Sequence, residues 1–248
     1  MTVTATTPPP GQAAVSSALA VLAHPDDESF GLGAVLSSLL DAGIEVTGVC
    51  FTHGEASTLG GTGIDLHHIR ARELADAASA LGIGEVGLLD YHDGHLSDTP
   101  IGELAGHVVD AALASRAKLL VVFDQDGITG HPDHRHATRA ALAAARRLDL
   151  PVLAWTIPET VAATLNTEFA TTFTGRPPGQ IDLTLTVDRT RQLAAIACHH
   201  SQSSTNPVLW RRLELTGNHE PLRWLRPKLP CTTRLSAERP LGTAGRIE

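Results

Sequence analysis

The run SALAVLA (residues 17–23) leads directly into HPDDE (His24–Glu28) and then into SFGLGAVLSSLLDAG (Ser29–Gly43). An apolar stretch of strand length, a charged turn and a helical pattern make one β-turn-α unit. The alternation recurs along the chain: IEVTGVCF then LHHIRARELADAASALG, EVGLLD then IGELAGHVVDAALAS, KLLVVF then HRHATRAALAAARRL, and finally PVLAWT. Strands and helices in this order predict right-handed βαβ crossovers. The expected fold class is therefore α/β, Rossmann-like, with a mostly parallel β-sheet flanked by helices on both faces. Farther on, IDLTLTV (Ile181–Val187) alternates with period two, as in a strand with one solvated face, and Asp188 is placed to cap a helix running to about His200.

Open parallel sheets bind ligands beyond the carboxyl ends of their strands. The polar clusters of this chain fall there: HPDDE after the first strand, THGE after the second, DYHDG after the third and DQDGITGHPDHRH after the fourth. His24 and Asp27 are three residues apart, and His131 and His134 repeat that spacing. Taking an ionised carboxylate out of water costs on the order of several kcal/mol, and adjacent aspartates also repel each other. Helix capping by Asp27 or Ser29 would account for one such cluster. Two clusters, each after a strand and each in an HPD context, favour a divalent cation, which selects imidazole and carboxylate and stabilises both aspartates as anions.

The pairing of AHPDDE with GHPDHR resembles the PIG-L (LmbE-like) family of zinc-dependent N-deacetylases, which act on N-acetylglucosamine-type substrates. FTHGE, the R-x-x-E-x-x-x-A-x-x-x-LG pattern from Arg70 to Gly82, and HHSQ (His199–Gln202) extend the likeness from about Ala18 to Gln202. The resemblance implies His24, Asp27 and His134 as ligands of Zn²⁺, with another divalent metal such as Fe²⁺ also compatible. It implies Asp26 as the general base that activates water. His131 would stabilise the developing oxyanion and then protonate the leaving amine. Arg70 and Asp93 would contact substrate, although Arg70 could instead pair with Glu73 one helical turn on, and Asp93-Gly94 could serve as a turn. Asp133 would orient a catalytic imidazole, Glu55 could line the pocket or lie exposed, and His199 could approach the pocket or end a helix. Some family members acting on an aminosugar inositol carry a tyrosine two residues before the HPDH histidine, where this chain has Thr129.

Composition narrows the remaining classes. A formal net charge of −8 with scattered Lys and Arg argues against a nucleic-acid partner. No apolar run approaches the roughly 18 residues of a membrane span. Cys50, Cys198 and Cys231 lack CxxC spacing, so neither a disulfide framework nor a zinc ribbon is expected, and a reducing cytoplasm fits. Residues 1–17 lack a basic and apolar leader pattern and read as a disordered arm, 18–230 as a single domain, and 231–248 as a disordered tail.

Gly31-Leu32-Gly33 is too short for a dinucleotide fingerprint, and a non-catalytic sugar module would be expected to lack Asp26 or His131. The expected partner is a small N-acetylated molecule; self-assembly stays open. Aromatic residues make up only 4%, which disfavours a long polysaccharide, although Trp155, Trp210 and Trp224 could line a groove. The competing enzyme reading is an amidase that cleaves a larger acyl group, such as a mycothiol-type thiol conjugate, with the same catalytic residues.

Overall fold

The computed structural model describes residues 15–59 and 65–227; the expectations for the N-terminal arm through residue 14 and for the tail from residue 228 lie outside them. Seven strands form one sheet in the order β3-β2-β1-β4-β5-β7-β6. β1 (Ser17–Leu22), β2 (Glu45–Thr52), β3 (Val86–Tyr91), β4 (Leu119–Phe123) and β5 (Val152–Trp155) run parallel, as the alternation predicts. β6 (Leu183–Thr186) and β7 (His219–Arg226) close one edge antiparallel. β1 lies at the centre, and all six of its residues are buried. Its side chains alternate between two cores, Ala18, Ala20 and Leu22 facing one helical layer and Leu19 and Val21 the other.

The helical pattern after β1 is broken. A single turn, α1 (Asp27–Phe30), is followed by α2 (Gly33–Asp41). Packing requires glycine at the break: a Cβ on Gly31 would lie 2.5 Å from the Phe123 ring and 2.9 Å from that of Trp155. α3 (Leu66–Leu81) joins α2 on one face of the sheet, while α4 (Ile101–Ala114) and α5 (Pro132–Leu148) pack on the other. α5 starts with Pro132 in its first turn behind His131 as N-cap, so both histidines of the GHPDHR motif sit at a helix start.

The second half holds elements that periodicity did not single out: α6 (Glu159–Phe169), α9 (Pro207–Thr216) and β7. The helix expected from Asp188 is α7 (Thr190–Cys198), with Asp188 Oδ1 accepting from the Thr190 amide at 2.8 Å; it breaks at His199 before the short α8 (His200–Ser203). No helix among the described residues is long and apolar enough to cross a membrane.

β7 is fastened to the parallel sheet by Glu220, which is fully buried. Its carboxylate accepts from Trp155 Nε1 at 2.6 Å and from Arg189 Nη1 at 2.5 Å. Removing one partner of a buried ion pair leaves an uncompensated charge and costs about 3–5 kcal/mol. Glu220→Ala is expected to lower the unfolding free energy by about that amount in urea titrations; a loss below about 1 kcal/mol would contradict this account of the edge.

Candidate active site

The ends of β1, β2, β3 and β4 meet around a cavity of about 430 Å³ whose wall includes His24, Asp26, Asp27, Arg70, Asp93, His131 and His134. Of the sequence-predicted residues, Asp133 stands behind His24, with Oδ2 at 3.4 Å from His24 Nε2. Glu55 and His199 are not part of the cavity wall. Glu55 instead accepts from the Asp93 amide at 3.0 Å, and His199 is fully buried against Glu28.

Hydrogen bonds fix where the lone pairs point. His134 Nδ1 lies 3.1 Å from the Gly127 carbonyl and 2.9 Å from Thr129 Oγ1. A carbonyl only accepts, so Nδ1 carries the proton and Nε2 presents a lone pair. That lone pair faces Asp27 Oδ1 at 3.1 Å and His24 Nδ1 at 3.2 Å. Asp27 Oδ2 is already used, accepting from the amides of Ala23 and His24 at 2.9 and 3.0 Å. On the far side of the His24 ring, Nε2 is 3.0 Å from Asp93 Oδ1. Nε2 thus faces carboxylates, and Nδ1 faces the gap between Asp27 and His134.

The three inward atoms lie within 4.8 Å of one another and all three residues are buried. When His24 is neutral, all three are acceptors, an arrangement that calls for a positive charge between them. In the metal-free protein a proton on His24 supplies it. Burial alone would depress the imidazole, but Asp133, Asp93 and Asp27 outweigh burial and push it up to about 10. A second grouping, His24, Asp93 and His131, also brings ligand atoms within 4.8 Å. It is the poorer donor set because His131 Nδ1 is engaged by the Asp133 amide at 3.2 Å. Burial opposes ionisation of Asp27, yet His134 and His24 hold its carboxyl well below the usual range. Two imidazoles, one carboxylate and an open side toward the cavity suit a tetrahedral divalent cation such as zinc.

Asp26 sits at a left-handed backbone position, φ 97°, which is strained for a residue with a Cβ. Three hydrogen bonds hold it there. Its amide donates to Glu28 Oε2 at 3.0 Å, Arg70 Nη2 donates to its Oδ2 at 2.7 Å, and the same guanidinium donates to the Pro25 carbonyl. Burial raises the Asp26 carboxyl, Arg70 opposes, and the net value is about 6. Arg70 also donates to the Gly54 carbonyl at 2.5 Å. A Cβ on Gly54 would lie 1.9 Å from Arg70 Nη1, so glycine is required for this approach. Glu73, the alternative partner for Arg70, instead accepts from the Ser201 amide and hydroxyl at 2.8 and 2.7 Å.

Several site features had escaped sequence reading. Glu28 is fully buried, accepts from Ser29 Oγ at 2.6 Å and lies 2.6 Å from His199 Nε2. It was visible as the third carboxylate of HPDDE, left without a task once the metal and the base were assigned. The cavity also has an apolar wall of Phe30, Phe123, Trp155, Phe173, Val208 and Leu209. Three of the five phenylalanines thus gather at one site.

The model of the PIG-L family, described as GlcNAc-PI de-N-acetylase, matches residues 19–145, and the chain belongs to this family. It is 29% identical over 195 residues to the "probable N-acetyl-alpha-D-glucosaminyl L-malate deacetylase 2" of Bacillus cereus, covering 75% of this chain and 83% of the relative. It is 34% identical over 172 residues to 1D-myo-inositol 2-acetamido-2-deoxy-alpha-D-glucopyranoside deacetylase 1 of Catenulispora acidiphila, covering 59% of this chain and 53% of the relative. The chain therefore spans about half the length of that second protein. Among solved structures, the A40926 pseudoaglycone deacetylase Dbv21 superposes with a TM-score of 0.64 at 22% identity, covering 85% of this chain and 97% of that one. GalB, a 4-carboxy-2-hydroxymuconate hydratase from Pseudomonas putida KT2440, does so with 0.63 at 17%, covering 86% and 98%. At such identities the likeness is one of fold.

The charge on His24 has a measurable consequence. Its folded pKa lies above the unfolded value of about 6.5. Protonated His24 therefore stabilises the metal-free protein fully below about pH 6.5, and that contribution is lost as pH rises through about 10. An imidazole must be neutral to ligate a metal, so binding of one divalent cation at pH 7 is expected to release about one proton from His24. Calorimetry in two buffers of different ionisation enthalpy measures this number, and a value near zero would refute the charge assignment.

Proposed function

We propose that this chain is a metal-dependent hydrolase that removes an N-acetyl group from a small N-acetylated aminosugar derivative. The observation that carries this reading is the convergence of His24 Nδ1, His134 Nε2 and Asp27 Oδ1 beside a cavity that also presents Asp26 and His131. The relatives' names, deacetylases of N-acetylated glucosaminides, support the substrate class. Zinc suits the three donors, and such a cation polarises an amide carbonyl and brings the pKa of water towards about 7. Residues 18–230 are read as one catalytic domain, because all seven strands belong to a single sheet. Cys50 and Cys198 are free thiols, which supports a reducing, cytoplasmic setting.

The residues divide the work as follows. Asp26 lines the cavity; its Oδ2 is tied to Arg70, while Oδ1 takes no hydrogen bond from the described residues. Its pKa near 6 lets it be ionised at neutral pH and still accept a proton from the attacking water. His131 accepts at Nδ1 from the Asp133 amide, so its proton sits on Nε2, free to bond the oxygen on which negative charge develops. Burial lowers its pKa and keeps the ring neutral. A neutral ring that gave up Nε2–H would be left as an anion. Asp26, having taken a proton from water, is therefore the better donor to the departing amine. In this reading Arg70 acts on substrate through Asp26, by fixing the carboxylate's orientation.

The apolar wall favours a second reading, in which the same residues cleave a larger acyl group, as in a mycothiol-type thiol conjugate. A cavity of about 430 Å³ is large for an acetyl group alone, and a wall that includes Phe30, Phe173, Val208 and Leu209 suits a longer acyl chain. Rates on N-acyl glucosamines of increasing acyl length separate the two: deacetylation predicts a maximum at acetyl, acyl-chain recognition a rise beyond it.

Asp26→Ala is expected to retain one equivalent of metal while kcat falls by about 10²–10⁴-fold. Metal content by mass spectrometry and acetate release measured on the same sample check both halves; unchanged turnover would remove Asp26 from the mechanism. Chelation is expected to abolish turnover, and added zinc to restore it.

A further inference from the structure

Outside the catalytic cavity, a second group of residues brings metal-ligating atoms together. His53 follows β2, His67 lies in the first turn of α3, and Asp90 is in β3; one ligand atom from each lies within 4.8 Å of the others. His53 Nδ1 is 3.0 Å from the His67 backbone carbonyl and must donate to it, so His53 Nε2 holds a lone pair. That lone pair faces Asp90 Oδ1 at 3.6 Å, acceptor toward acceptor. His67 Nε2 donates to the same oxygen at 3.0 Å, through a proton that a bound cation would replace. The two imidazoles are stacked nearly parallel, with centroids 3.5 Å apart and planes 9° apart, the face-to-face arrangement that aromatic quadrupoles disfavour.

The surroundings favour a cation. Asp90 also borders a neighbouring cavity of about 460 Å³, lined by neither His53 nor His67, that carries Glu55, Asp93 and Asp98 and no Lys or Arg. Glu55 Oε2 is buried there without a hydrogen-bond partner. Asp90 is open to solvent while His53 is mostly buried, so a cation could enter from the surface and keep water on its outer side.

We propose that His53, His67 and Asp90 form a second binding site for a divalent transition metal, apart from the His24–Asp27–His134 group. Two imidazoles and one carboxylate with open positions select zinc, cobalt, nickel or copper over magnesium or calcium. Ligation opens the two rings from their parallel stack. The site ties the segment after β2 to α3 and β3. His53 adjoins Gly54, whose carbonyl holds Arg70, and His67 lies one turn before Arg70 on α3. A metal there braces the guanidinium that positions Asp26. The proposal does not depend on the reaction assigned to the first site.

The test is zinc stoichiometry on the full chain, stripped of metal and retitrated, with bound metal also measured by mass spectrometry after gel filtration. The wild type is expected to hold two zinc ions and His67→Ala one. Asp27→Ala, which disables the catalytic group, is expected to hold one, and the double variant none. Asp90→Asn, an exposed and conservative change, provides a second variant if His67→Ala folds poorly by circular dichroism, and is expected to weaken the second equivalent at least tenfold. Co²⁺ absorption in Asp27→Ala reads the second site alone. A single zinc in the wild type, or two still bound in both His67→Ala and Asp90→Asn, would overturn the proposal. A site retained in Asp27→Ala and lost in the other two establishes it even if Asp26→Ala stays active.

Discussion

The arrangement depends on one electrostatic demand: the positive charge that Asp27, Asp93 and Asp133 require at His24. Asp27 and Asp133 are almost wholly buried, and neither could remain ionised there without compensation. The protein spreads the task over sequence-distant loops. Asp27 is stabilised by the amides of Ala23 and His24, and Asp133 by those of Gly94 and Leu96, at 2.7 and 3.2 Å. The same bonds that stabilise the anions fasten the loop after β3 to the start of α5. The charge balance at His24 and the anchoring of that loop are therefore parts of one interaction.

Much of this was legible because the chemistry repeats locally. His24 with Asp27, and His131 with His134, are short-range pairs at strand ends, and the sheet's parallel half follows from the strand-helix alternation that places them. What was not legible depends on partners far apart in sequence. Arg70 and Glu73 look like an ion pair at helical spacing, yet Arg70 reaches across to Pro25, Asp26 and Gly54, and Glu73 to Ser201. An i, i+3 pair on a surface contributes only a few tenths of a kcal/mol, so buried partners outweigh it easily. The antiparallel edge is hidden for a similar reason: β7 is specified by Glu220 pairing with Trp155 and Arg189, none of which is its neighbour in sequence.

The apolar cavity wall escaped because its residues look like ordinary core. Phe30, Phe123 and Trp155 each belong to elements with good reason to bury rings, and only Gly31 hints that they form a surface. A residue with a Cβ at that position would push Phe123 and Trp155 out of place. Composition had disfavoured a long polysaccharide while leaving Trp155 as a candidate groove residue, and Trp155 does line the cavity. The distribution of the aromatic residues matters more than their number, since Phe123 bridges the metal-ligand group and the apolar wall with centroids 4.8 Å from His134 and 5.0 Å from Trp155.

Fold alone leaves the reaction open, since a hydratase shares this architecture. Amide hydrolysis is argued instead from the different treatment of two adjacent aspartates. Asp27 receives two backbone amides and faces two imidazoles, which keep it an anion. Asp26, one residue earlier, is turned away by its left-handed backbone and given one cation, Arg70, against a large burial penalty. The outcome is a pair whose affinities for a proton are pushed in opposite directions. A site that must both hold a cation and carry a proton between water and an amine needs that separation, and the turn at Pro25-Asp26 provides it within a single peptide unit.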